Sequence, residues 1–143
     1  MRGFFSLLLG CFGLLPSFGL GQSVAQTVVI KNLDNKKGSV YIGWYTSEKD
    51  YTDGNNATIK KIVPVHDKQE IAVKFDQVSP GVYAIAVFFD ENGNGELDKN
   101  FLGIPKEVYG FSNNIIPLTR SATFKEASFI VGASAETIVI KVK

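Results

Sequence analysis

Alternation of apolar and polar residues constrains this chain more than any other feature. Ile71, Val73 and Phe75 alternate with Glu70, Lys74 and Asp76, with only Ala72 breaking the polarity. Ile138, Ile140 and Val142 alternate in the same way with Thr137, Lys141 and Lys143. A period of two puts one set on each face of a strand, so one face is buried and the other wet. Val40, Ile42 and Trp44 form another such set, with Tyr41 and Tyr45 on the reverse face. Thr27 to Lys31, Ile59 to Val63 and Phe124 to Val131 read as further short strands. Val82 to Phe89 is apolar on both faces, as expected of a central strand. No segment carries a convincing helical stripe.

Turn chemistry separates these runs. Asn32 to Gly38 and Thr52 to Asn56 are rich in Asn, Asp and Gly, and Ser79-Pro80-Gly81 is a strong turn. About seven short strands so punctuated predict an all-β fold: a single antiparallel β-sandwich, prealbumin- or immunoglobulin-like. Asn100 to Ala122 is the irregular exception, one long loop rich in Gly, Pro and Asn. Loops of that length in a compact domain are often functional.

The N-terminus has the order of a secretory signal peptide. Arg2 precedes an apolar run from Phe4 to Leu15, and Ser23-Val24-Ala25 presents small residues where a signal peptidase reads. Residues 1–25 are therefore expected to be removed and residues 26–143 to form the β-sandwich domain, exported to the periplasm or beyond. Cys11 lies within the leader, so the mature chain is expected to hold no disulfide and no membrane span. Lipid on Cys11 is the minor alternative. The 15 basic and 14 acidic residues of the whole chain balance, and the only basic or acidic residue before Gln26 is Arg2. No basic footprint for nucleic acid remains.

Chemistry concentrates in Asp90-Glu91-Asn92-Gly93-Asn94-Gly95-Glu96-Leu97-Asp98. Oxygen-bearing side chains fall at Asp90, Asn92, Asn94 and Asp98, a backbone carbonyl is available at Glu96, and Gly95 stands where a metal loop turns sharply. These are the first two-thirds of a calcium loop of the EF-hand kind. The bidentate glutamate of its last position is missing, because Phe101 stands there, and a strand precedes the loop where a helix should. A true EF-hand is therefore rejected. Calcium at Asp90, Asn92, Asn94, Glu96 and Asp98 is expected to bind modestly, with Glu107 as a further carboxylate from elsewhere in the fold. The alternative is a metal-free hairpin, since Asn92-Gly93 and Asn94-Gly95 are both favoured turn dipeptides.

The block from Gly81 to Asn114 is specific enough to carry a resemblance. Gly81-Val82-Tyr83-Ala84-Ile85-Ala86-Val87-Phe88-Phe89-Asp90 is followed by Asn92-Gly93-Asn94-Gly95, Leu97-Asp98, Asn100 to Glu107 and Tyr109 to Asn114. It resembles the hallmark of a family of exported bacterial proteins, the domain of unknown function 2141. The resemblance implies export and a small β-rich domain, with no established activity.

No nucleophile elbow, zinc motif or phosphate loop occurs. His66, the lone histidine, reads as a solvated turn residue, and Trp44 as core. No catalytic residue is assigned. A carboxylate pair drawn from Asp90, Asp98 and Glu107, acting on a glycoside, is a remote alternative. Tyr109, Phe111, Asn113 and Asn114 mix aromatic faces with amides, a composition suited to carbohydrate or peptide contact. The rival reading has Phe101 and Phe111 plugging the sandwich end while the amides cap turns. The expectation is a non-catalytic binding or accessory module, its partner an envelope protein or a carbohydrate. The alternative is a purely structural domain.

Overall fold

The computed structural model describes residues 21–143. Its strands are β1 (Val24–Lys31), β2 (Lys37–Tyr45), β3 (Ile59–His66), β4 (Glu70–Val78), β5 (Gly81–Asp90), β6 (Tyr109–Phe111), β7 (Ser128–Val131) and β8 (Glu136–Lys141). Two short helices, α1 (Glu48–Asp53) and α2 (Phe124–Ala127), interrupt them. One sheet has the order β4-β1-β8. The other has the order β3-β2-β5, with β6 and β7 sharing the far edge of β5. This is the expected β-sandwich, with one departure from an antiparallel pattern. β8 runs parallel to β1, from Gln26↔Glu136 to Lys31↔Lys141. Parallel neighbours need a crossover, and here the strands of the second sheet intervene between them in sequence.

The alternating residues meet between the sheets. Val28, Ile30, Val73, Phe75 and Ile140 face Val40, Ile42, Trp44, Ile85, Val87 and Phe89, all buried. Trp44 sits at the centre, its ring 5.2 Å from Phe75 and 5.6 Å from both Tyr83 and Phe129. β1 begins at Val24, which pairs with Val78 and packs on this core. The strand thus starts ahead of the cleavage expected after Ala25. The remainder of the leader, Cys11 included, lies outside the described residues. No helix among the described residues is long and apolar enough to cross a membrane.

Two local expectations are corrected. Phe124 to Val131 is not one strand, because its first turn is α2. The Thr123 hydroxyl accepts from the Glu126 N–H, and the Glu126 carboxylate accepts from the Thr123 N–H. That reciprocal cap satisfies donors which a strand would leave to a neighbour. The long irregular segment also contains β6, whose three residues are too few to show a period. α1 escaped notice for a similar reason. Its signals are terminal, Ser47 capping the Asp50 N–H and Gly54 closing the end in the left-handed conformation.

The outer face of β5 explains its two-sided apolar character. Ala84 is covered by a second, smaller cluster of Tyr45, Tyr51, Phe111, Ala122 and Ala127. α1 and α2, packed with the Phe111 ring of β6, thus cover part of the outer face of the second sheet and leave the rest open.

Candidate functional site

The hairpin after β5 is built around two buried carboxylates. Asp90, only 1% exposed, accepts from the Gly93 N–H at 2.7 Å with Oδ1 and from the Gly95 N–H at 2.8 Å with Oδ2. Both glycines have positive φ, 78° and 77°, which a non-glycine residue adopts at a cost. Asn92 Oδ1 accepts from the Asn94 N–H, and Asn94 Oδ1 from the Glu96 N–H, each at 3.0 Å. The Nδ2 groups of Asn92 and Asn94 both donate to the Asp98 carboxylate.

Glu107 reaches this hairpin from the far side of the loop. Its Oε1 accepts from the Glu91 N–H at 2.9 Å and its Oε2 from the Asp98 N–H at 3.1 Å. The fold therefore brings Asp90, Asn92, Asn94, Asp98 and Glu107 together. Glu96 enters through its N–H, and its side chain is exposed. Among the described residues no three of His, Cys, Asp and Glu form a group suited to a metal ion.

A cleft of about 1140 Å³ opens beside the hairpin, on the outer face of the second sheet. Sheet register lays its floor. Tyr41 lies opposite both Ile62 and Phe88, and Phe88 opposite Tyr109. One row thus crosses four strands on the solvent side. The Tyr41 and Phe88 rings stack at 4.7 Å and 13°. The aromatic surface continues from Tyr109 to Phe111 at 5.7 Å, to Tyr51 at 6.0 Å and on to Tyr45 at 5.6 Å. Tyr41, Phe88 and Tyr109 are half-buried, whereas Tyr45, Tyr51 and Phe111 are buried. The next row holds Gly43 and Ala86, small residues that leave room, with the Tyr45 ring laid over Gly43.

Burial pushes the pKa values of both Tyr45 and Tyr51 up, and the Glu126 carboxylate adds to the effect at Tyr51. Both phenols stay protonated as donors through the neutral range. The Tyr51 hydroxyl is buried with no hydrogen-bond partner among the described residues. The hairpin touches this floor directly, since a β-carbon at Gly95 would come 3.3 Å from the Tyr41 hydroxyl.

The other residues singled out in the sequence divide. Tyr109 and Phe111 line the cleft. Asn113 and Asn114 are exposed, yet their amides are committed to backbone. Asn113 Nδ2 donates to the carbonyls of Glu126 and Ser128. Asn114 donates to the Val139 carbonyl and accepts from the Lys141 N–H. They tie β6 to β7 and β8. Phe101 does not plug the sandwich end, because it is 96% exposed. His66 is exposed and pairs only with its neighbour Asp67. At the cleft's rim Arg120 makes a bidentate pair with Glu126 at 2.8 and 2.9 Å. That pair, with the Thr123 N–H, holds the Glu126 carboxyl at about 2.

Tyr41, Tyr45, Tyr51 and Phe88 are the cleft residues that sequence reasoning did not select. For Tyr41, Tyr45 and Phe88 the available signal was aromatic side chains on the wet faces of β2 and β5, opposite the core set; Tyr51 lies on the short α1, which carries no such pattern. A model of the family described as "Uncharacterized protein conserved in bacteria (DUF2141)" matches residues 28–139. No curated protein and no solved structure matches the chain.

Proposed function

We propose, for a chain that belongs to this uncharacterised bacterial family, a non-catalytic binding role for an exported protein. Its recognition surface is the aromatic cleft on the outer face of the second sheet. The carrying observation is the cross-strand row Tyr41–Phe88–Tyr109, three half-buried rings facing solvent. Flat ring faces with phenol hydroxyls at their tips suit a carbohydrate chain, whose C–H faces stack on aromatic rings while its hydroxyls take hydrogen bonds. A peptide segment of an envelope protein is the second occupant such a surface accommodates. The non-catalytic reading is supported by the carboxylates themselves. Asp90 and Glu107 each hold two backbone N–H groups, so both oxygens of each carboxylate are engaged in closing the loop.

Binding to peptidoglycan sacculi and to soluble oligosaccharides tests the reading. Tyr41→Ala and Tyr109→Ala should each abolish retention of a glycan that the wild type holds. Failure of every glycan to bind, or binding indifferent to both substitutions, sinks it.

Calcium at the hairpin is a second part of the proposal. It rests on the convergence of Asn92, Asn94 and Asp98 at one exposed point of the turn. A cation there would replace the amide donors on Asp98, with Asp90 and the Glu96 carbonyl as further ligands. Because the hairpin already closes on its own hydrogen bonds, the gain in stability should be small. Calcium at tenfold excess over Kd stabilises by roughly 1.4 kcal/mol. The expected outcome is a melting temperature a few degrees higher in millimolar calcium than in chelator, with no increment in Asp98→Ala. Coincident melts of the wild type would leave a metal-free hairpin.

A further inference from the structure

We propose that the inner end of the cleft, beneath α1 and α2, is a subsite for an acetamido group, which directs the cleft toward N-acetylated amino sugars. The inference rests on the reading of the cleft as a glycan-binding surface and names the class of sugar it selects. Tyr51 carries it. This residue lines the cleft at 8% exposure, and its hydroxyl is buried with no hydrogen-bond partner among the described residues. A buried hydroxyl left unpaired costs stability. A ligand that supplies the partner removes that cost, so the phenol is preset for an acceptor that the fold does not provide.

The nearest carboxylate is committed elsewhere. Glu126 lies close enough to push the Tyr51 pKa up, second to burial itself. Its two oxygens take both guanidinium bonds of Arg120 and the N–H and hydroxyl of Thr123. Its charge also disfavours a second anion beside the phenol, which selects a neutral acceptor such as an amide carbonyl.

The walls fit the rest of that group. Ala57, Ala86 and Ala122 belong to the same cluster as Tyr51 and line the cleft with it. Methyl-sized apolar walls beside one uncharged donor match an acetamido group. Its methyl packs on the alanines, and its carbonyl accepts from the phenol. A bare sugar hydroxyl has no methyl to fill such walls. Rings lead there from the floor of the cleft, Tyr109 to Phe111 at 5.7 Å and Phe111 to Tyr51 at 6.0 Å. A glycan stacked on the outer row therefore passes alongside the recess. Entry requires the cover over the hydroxyl to shift. α1 has six residues, and Tyr51 is the residue it buries. The helix is thus anchored through the ring that the ligand engages, and such lightly anchored elements are the ones that open locally.

The test compares chitin and cellulose oligosaccharides of equal length on the protein as recovered from cells. The two series differ only in carrying an acetamido group or a hydroxyl on each ring. Titration calorimetry should show the chitin series binding about tenfold more tightly, the scale of one hydrogen bond together with a buried methyl. Saturation-transfer NMR should put the strongest transfer on the acetyl methyl. Tyr51→Phe, which removes only the hydroxyl, should lose most of that preference and melt no lower than the wild type. Equal binding of the two series by the wild type overturns the subsite and leaves the aromatic cleft as a glycan surface. A preference that survives Tyr51→Phe overturns it as well. So does a lower melt in Tyr51→Phe, since the hydroxyl would then already be paired within the fold, through a water. Binding of neither series, with no other glycan retained, overturns both the subsite and the glycan reading of the cleft.

Discussion

The two faces of β2 carry similar residues to different ends. Val40, Ile42 and Trp44 point between the sheets and are fully buried. Tyr41 and Tyr45 point outward, Tyr41 into an open cleft and Tyr45 under a partial roof. On the inner face an aromatic ring is enclosed on every side, so its loss leaves a cavity. On the outer face a ring such as Tyr41 has protein on one side and water on the other, so its loss leaves a wider cleft. Aromatic content alone therefore does not distinguish core from recognition surface. What covers the face does.

The sharpest break of that comparison is at the centre of the inner face. Trp44→Ala should cost about 3–5 kcal/mol, read as a lower denaturation midpoint at unchanged slope. A cost near that of a surface change would mean that the space between the sheets is poorly filled.

The hairpin at the border of the two faces comes next. Asp90→Ala removes the acceptor of two N–H groups and should cost about 1.5–3 kcal/mol or more, the range for a hydrogen bond to a charged group. Gly95→Ala should also destabilise, through positive φ and the 3.3 Å approach to Tyr41. Amide exchange at Gly93 and Gly95 should rise in Asp90→Ala with the core unaffected.

Tyr41→Ala should cost about 1–2 kcal/mol, the stacked pair with Phe88 plus the part of the ring that is buried. A loss as large as that of Trp44 would show the outer row to be core, and would remove it from any binding surface.

The smallest expected effect is a pH response at the rim of the cleft. The Arg120 and Thr123 partners hold Glu126 down from 4.5 to about 2. A depressed carboxyl stabilises the folded state above its ordinary value and loses that contribution as pH falls from about 4.5 through about 2. The 120–126 corner should therefore open in that interval, before the core melts. Glu126→Gln should remove the transition. A corner equally protected across that range in wild type would show that the pair holds nothing in place.

The sequence alone was enough to establish the sandwich. Period-two patterns in β2, β4 and β8 name their own buried faces, because a strand's alternation is a local property. The chemistry of the 90–98 turn was legible for the same reason, since its Asn-Gly pairs and flanking aspartates lie within one hairpin. Tertiary structure decided the rest. Glu107 meets Glu91 and Asp98 only when the loop folds back, and Tyr41, Phe88 and Tyr109 become one row only when three strands pair in register. The parallel β1–β8 pair and the exposure of Phe101 also depend on which elements come to lie beside them. Alternation fixes what a strand buries, but the neighbours that cover a face are chosen by distant parts of the chain.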